Sequence, residues 1–162
     1  MTAATRPLYQ CIFVAIDGSD TAELALDHAI RLAKNEHAHL RIAHVVEAYR
    51  YAEAVAGPEE FDLAATLKAL RHDGRRLLNQ AKAKGRAAGV AVETALLEGK
   101  ELTDRPATLL AAEARRSAAD LIVVGTHGLR NSDRVVLGSV AEALIRQTSV
   151  PVLLLRPSRD VT

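Results

Sequence analysis

The sequence predicts an α/β fold: one parallel sheet with helices on both faces. Three observations carry this. Five short apolar runs of strand length recur along the chain, and the segments between them place apolar residues at helical spacing. Apolar residues make up 49% of the 162, aromatics only 3%, and Ala, Leu and Val dominate, a composition that suits helices packed on a sheet. The resulting alternation, β-α-β-α-β-α-β-α-β, implies parallel pairing with helices covering both sides. The length fits a single domain with a sizeable core. No internal repeat or low-complexity tract interrupts it. Residues 1–8 read as a disordered lead-in, 9–157 as the domain and 158–162 as a tail.

Cys11 to Ile16 is the first strand, stopped by Asp17-Gly18-Ser19-Asp20. Ser19 or Asp20 can cap the helix that follows, and Glu23 stands three residues after Asp20 as in a capping box. Ala22, Ala25, Leu26, Ala29 and Ala33 form that helix's apolar stripe. Leu40 to Val46 is the second strand. Glu47 to Phe61 contains Gly57-Pro58 and no period, the pattern of a mobile loop. Leu63, Leu67, Leu70, Leu77, Leu78 and Ala81 mark one face of a long helix, closed by Gly89 in a left-handed cap.

Val90 to Leu97 is the third strand. Gly99 to Arg105 is polar, and Asp104 can cap a helix from Pro106 to Ser117, with the proline in its first turn. Leu121 to Val124 is the fourth strand and Ser139 to Gln147 the last helix. Pro151 to Leu155 is the fifth strand, with proline tolerated at its start. Ligands of such sheets sit at the strands' carboxyl ends, near the switch in strand order. Asp17, Val45, Gly125 and the loop to Ser139 all lie there.

Charge and cysteine content narrow the setting. With 21 basic and 20 acidic side chains the net charge is +1, which gives no reason to expect a nucleic-acid or membrane partner. No run approaches the ~20 apolar residues of a membrane span. The single cysteine, Cys11, cannot form an intrachain disulfide, which favours a reducing compartment, and it reads as a small buried residue. The N-terminus lacks an apolar signal core, so the cytoplasm is the expected location.

The chemistry concentrates behind the fourth strand. Gly125-Thr126-His127-Gly128 is followed, after nine residues, by Gly138-Ser139 at the start of a helix. Backbone N–H groups of such a loop, with the free N–H groups of a helix start, make an anion site, here for a nucleotide phosphate. Gly138 would let a phosphate approach, and Ser139 can cap the helix and donate its hydroxyl. The competing reading is a tight turn and an ordinary cap. The loop is neither Gly-x-Gly-x-x-Gly nor the Walker lysine motif. Asp17 can meet a ligand or simply the dipole of the first helix. His127 can bond within its loop or to a ligand. His28, His37, His39 and His72 lack metal-site spacing, though His37 and His39 can touch one ion. The basic run Arg71 to Arg86 reads as a solvated helix face, and Arg115-Arg116 as partners of their own helix C-terminus.

Gly125-x-x-Gly128-(nine residues)-Gly138-Ser139 resembles the nucleotide-binding signature of the universal stress protein family. Val14-Ala15-Ile16-Asp17-Gly18-Ser19, His44-Val45-Val46, Ala119 to Gly128, Leu137 to Glu142 and Val150 to Leu153 are similar to its other characteristic segments. The resemblance spans residues 9 to 157. It implies strand order 3-2-1-4-5, an adenine nucleotide alpha hydrolase-like arrangement, and a homodimer through the last strand. It places Asp17 near the ribose or phosphates and Val45 against the adenine. Gly125, Gly128, Gly138, Ser139 and Val140 go to the phosphates and ribose. Leu129 and Asn131 stand where the family often has a basic residue and a glycine, leaving Arg130 and Arg134 as candidate phosphate partners. The stretch from Gly99 to Asp120 exceeds the usual family spacing by about five residues.

Independently, Val150 to Leu155 is too apolar for an exposed edge, so the last strand should be covered and buried on both sides. The expectation is a cytoplasmic homodimer binding ATP, AMP or another adenine nucleotide, with magnesium a candidate companion, as a stress-response sensor or regulator. Two other readings stand beside it: a slow ATP hydrolase or self-phosphorylating protein, and an interaction module without nucleotide. No catalytic residue and no resident metal are expected.

Overall fold

A computed structural model describes residues 6–47, 62–101, 104–126 and 137–157. Five strands, β1 (Cys11–Ala15), β2 (His39–Val46), β3 (Val92–Glu98), β4 (Leu121–Gly125) and β5 (Val152–Leu155), form one parallel sheet in the order β3-β2-β1-β4-β5. They alternate with α1 (Asp20–Glu36), α2 (Leu63–Ala87), α3 (Pro106–Arg116) and α4 (Ser139–Gln147). Ile12 pairs with Leu40 on one side and Leu121 on the other, so β1 is the middle strand. The fold class read from the residues and the strand order implied by the resemblance are those observed. Among the described residues, no helix is long and apolar enough to cross a membrane.

Alternation along each strand divides the core in two. Ile12, Val14, Leu40, Ile42, Leu121 and Val123 meet α1 and α2 on one face. Phe13, Ala43, Ile122 and Val124 meet α3 and α4 on the other. The centre of β1 has no exposed surface, which explains its continuous apolar run. Its start is held by two carboxylates. Asp120 accepts from the N–H groups of Gln10 and Cys11, and Glu36 from those of Leu8 and Tyr9.

The helix ends correct several sequence expectations. Ser19, not Asp20, caps α1, its hydroxyl accepting from Ala22 N–H at 3.2 Å. Glu23 therefore closes no capping box and instead pairs with Lys84 of α2, as does Asp27. Asp104 does not cap α3. Its carboxylate accepts from the N–H groups of Lys100 and Glu101, closing the preceding loop, and Arg105 stands at the N-cap. Pro106 does take the first turn. Ser139 is the first residue of α4 and caps nothing; the N-cap is Gly138. Arg116 pairs with Glu113 rather than with its helix terminus. Cys11 is only half-buried. Its thiol donates to Ser117 C=O at 3.4 Å, and burial pushes its pKa up. The loop expected over Glu47 to Phe61 lies outside the described residues beyond Glu47.

On α2 the buried residues are Gly74, Leu78, Ala81 and Gly85, while Leu63 is exposed. Two glycines on the inner face let a long helix lie close to β2 and β3. Gly89 has φ +84°, and Val90 N–H reaches Gly85 C=O at 3.0 Å, so the expected left-handed cap forms. A Cβ on Gly74 would lie 2.7 Å from both His44 Cδ2 and Leu96 Cδ1. The imidazole cannot yield freely, because its Nδ1 is 2.8 Å from Ile16 C=O.

The two inner faces contain one ionic exception. Arg41 Nε and Nη2 reach Glu113 Oε1 at 2.9 and 2.6 Å, and its Nη1 reaches Glu93 Oε2 at 2.9 Å. Arg116 contacts the same carboxylate at 2.7 and 2.8 Å. Glu113's side chain is only 6% exposed, so α3 is fastened to β2 by a charge that needs its partners. Burial alone would raise the Glu113 pKa, but the hydrogen bonds from Arg116 and Arg41 outweigh it and the net shift is downward.

Two measurements check these contacts. Gly→Ala in a helix interior ordinarily stabilises by about 1 kcal/mol, but Gly74→Ala should cost roughly 1–3 kcal/mol in urea denaturation because the methyl overpacks against His44. A gain would mean that His44 and Leu96 move aside. Arg41→Met should cost about 3 kcal/mol at pH 7 by leaving Glu113 under-compensated. Because the native Glu113 pKa is lowered, its contribution is fully present above the unfolded value of about 4.3 and lost as pH falls through the native one. The variant's deficit should therefore shrink below about pH 4. A deficit unchanged with pH would assign the effect to packing instead.

Candidate functional site

From β1 the chain crosses to β2 and β3 on one side and returns to β4 and β5 on the other. The connections after β1 and β4 consequently leave the sheet in opposite directions. Doubly wound sheets hold ligands in the crevice between the carboxyl ends of strands placed in this way. The sequence-predicted residues distribute around this reversal. Asp17 follows β1, Val45 is on the last turn of β2's pleat, Gly125 ends β4, and Gly138, Ser139 and Val140 begin α4. Gly128 and Arg130 lie outside the described residues.

Asp17 closes a tight turn. Its Oδ1 accepts from Ser19 N–H at 2.9 Å and Ser19 Oγ at 2.5 Å, while Gly18 takes φ +81°. Asp17 thus orients the residue that caps α1 rather than capping it directly. The second oxygen, Oδ2, makes no hydrogen bond among the described residues. A carboxylate pinned by one oxygen and open at the other can receive a ligand hydroxyl without reorganising.

Gly125 is required by packing as well as by any ligand. A Cβ there would lie 2.9 Å from the Cβ, carbonyl carbon and carbonyl oxygen of Thr21. Only glycine lets β4 end against the first turn of α1. From there the backbone is tied in series: Thr126 N–H donates to Leu155 C=O at 2.8 Å, and Gly138 N–H donates to Thr126 C=O at 2.7 Å. The second bond sets the start of α4 directly at the end of β4. Its N-cap, Gly138, brings no side-chain hydrogen bond to this helix start. Its first-turn N–H groups and the positive end of its dipole can therefore serve an anion. Gly138 has φ −63° and ψ 150°, angles any residue adopts, so its backbone does not require glycine. Ser139 is exposed, whereas Val45 and Val140 are half-buried and pack on the core face shared with α3 and α4.

Two contributors escape sequence reasoning. Thr21 is buried, its hydroxyl 3.3 Å from Ser19 Oγ, and it forms the wall against which Gly125 rests. Nothing in an ordinary first helical turn announces that contact. His44 joins the carboxyl ends of β1 and β2 through Ile16 C=O. A polar residue one position before Val45 in an otherwise apolar strand was the available signal. Among the described residues, no three His, Cys, Asp or Glu side chains are placed to hold a metal ion.

The chain and its fold match known proteins. The model of the universal stress protein family matches residues 8–156. Universal stress protein YxiE of Bacillus subtilis is 34% identical over 154 residues, covering 92% of this chain and all of that protein. The crystal structure of a universal stress protein family member from Burkholderia pseudomallei is 37% identical with a TM-score of 0.72, covering 91% of this chain and 96% of its own. A universal stress protein crystallised in complex with cAMP is 27% identical, with a TM-score of 0.65 over 93% of this chain and 99% of its own. The match runs from the residues that anchor β1 to those that follow β5, through every element that shapes the crevice, and the chain belongs to the universal stress protein family.

Proposed function

We propose that this protein binds an adenine nucleotide in the crevice and acts as a cytoplasmic stress-response sensor or regulator. The observation that carries the proposal is the meeting of three ligand-ready features at the strand-order reversal. These are Asp17 Oδ2, which makes no hydrogen bond among the described residues, the start of α4 set against β4 with Gly138 as its N-cap, and the half-buried apolar surface of Val45. They supply a hydroxyl acceptor for ribose, N–H donors for phosphate and an apolar wall for adenine. A relative in complex with cAMP supports the ligand class. In this reading Gly125, Gly128, Gly138, Ser139 and Val140 surround the ribose and phosphates, and Arg130 adds charge to them. ATP is the first candidate, with magnesium bridging its phosphates if it accompanies the nucleotide.

We also propose a homodimer through Val150 to Leu155. Val152 and Leu154 pack towards α3 and α4, Leu153 and Leu155 towards α1, and all four remain half-buried rather than fully buried within one chain. Among the described residues, only β4 pairs with β5. An apolar strand with one unpaired edge is covered most simply by the same strand of a second copy. Leu153→Glu would disturb the protein's own core, so it reads fold stability rather than assembly. Sedimentation of the wild-type protein at micromolar concentration should give a dimer; a clean monomer would refute this arrangement.

The nucleotide reading has a direct test. Protein denatured after purification should release an adenine nucleotide, identified by chromatography. Nucleotide-free protein should gain about 2.7 kcal/mol at a hundredfold excess of ATP over its dissociation constant, or roughly 5–10 °C in melting temperature. Gly138→Val should remove that shift while leaving the circular dichroism spectrum intact. Its backbone angles accommodate valine, so the loss would report occupied phosphate space alone. Absence of any shift with ATP, AMP and cAMP at millimolar concentration would refute nucleotide binding.

A further inference from the structure

The net charge of +1 conceals an asymmetry. α2 carries seven of the chain's 21 Lys and Arg residues against one carboxylate, Asp73, so the remainder of the protein is net acidic. Two of the seven are engaged by neighbouring elements. Arg71 binds Glu98 of β3 through two hydrogen bonds, at 2.6 and 2.8 Å. Lys84, on the opposite flank, meets Glu23 and Asp27 of α1. Lys68, Arg75, Lys82 and Arg86 make no hydrogen bond or ion pair among the described residues. The first three recur every seven residues and Arg86 follows four later, which places all four within roughly 40° of one another around the helix. They form a line about 27 Å long. It runs on the flank of α2 away from α1, beside the edge strand β3.

We propose that this line of cations is a docking surface for the phosphate backbone of double-stranded nucleic acid. Charge complementarity names an anionic partner, and what accompanies the cations selects among anionic partners. Leu77, Leu78 and Ala81 of the apolar stripe of α2 pack against the core of the sheet. Among the described residues, the exposed large apolar side chains Leu8, Leu24, Leu63 and Ile145 all lie off the line, so the line itself presents no apolar face to a bilayer. Protein interfaces centre on aromatic and apolar anchors with lysine depleted, and α2 has no aromatic residue at all. The same lack denies single-stranded nucleic acid its stacking platforms. Duplex binding without sequence preference needs none of these. It needs Lys and Arg that neutralise successive phosphates and release their counterions, and one exposed helix that can lie along a groove.

The test is fluorescence anisotropy of a labelled 30-base-pair duplex titrated with the intact protein across a salt series. Four phosphate contacts should give a slope of about −3.6 in log affinity against log salt, weakening binding about 150-fold between 50 and 200 mM. Arg75→Gln, Lys82→Gln and Arg86→Gln, combined, should flatten that slope to about −1. The ATP-dependent melting shift should be retained, showing that the protein is folded. Lys34→Gln, at the far end of α1, should leave the duplex affinity and slope unchanged. Three results would overturn the proposal: no binding at 50 mM salt, an unchanged slope in the triple variant, or binding confined to phosphatidylserine vesicles with none to the duplex.

Discussion

Burial of β1 on both faces is the constraint from which the rest follows. A strand with no exposed side chain at its centre must have neighbours on both edges and helices above and below. Parallel neighbours require crossovers, and crossovers to the two sides of β1 place α1 and α2 on one face and α3 and α4 on the other. The reversal of strand order, and with it the crevice beside Asp17, is the geometric remainder of that arrangement. The elements are then locked by few polar devices. Asp120 and Glu36 seat the entry to β1, and Arg41 ties Glu113 of α3 to the sheet.

Much of this was legible in the residues. Apolar runs marked the strands to within two residues, and those of β1 and β4 are continuous because burial on both faces leaves no alternation to misread. Gly89 announced its own cap, since a positive φ is costly for any other residue. The errors cluster at helix starts. Ser19, Asp20, Asp104 and Ser139 are all competent caps in isolation, and tertiary partners decide among them. Asp17 orients Ser19 into the cap position, two amides of its own loop capture Asp104, and the bond from Gly138 to Thr126 sets α4 one residue earlier than a serine cap would. Two helices end on left-handed His37 and Ala118, where no glycine signalled the stop.

The candidate site was legible where a residue type carries its own chemistry. Asp17, Gly125 and Gly138 stand out in sequence because a carboxylate and glycines are unexpected at the ends of buried strands. Thr21 is invisible for the opposite reason, and His44 shows only as a polar residue in an apolar strand: the importance of both lies in what they touch. Gly125 shows how a motif residue can satisfy two demands, since the glycine that a phosphate would need is already demanded by Thr21. The charge of α2 was likewise visible as a run of basic residues. Its sorting into paired flanks and an unpaired line needed α1 and β3 in place.

The serial bonds from Leu155 through Thr126 to Gly138 have a consequence for local opening. Each amide in that chain is protected by the peptide group before it. The Thr126 amide proton can exchange with solvent only when β5 lifts from β4. The Gly138 amide can exchange only when the start of α4 parts from the end of β4. The free energy of detaching the edge strand is therefore written directly into one exchange rate beside the crevice. A clamp on β5 from outside the subunit and a clamp on α4 from inside the crevice would slow two neighbouring amides by separate routes, which lets assembly and ligation be read apart in a single protein.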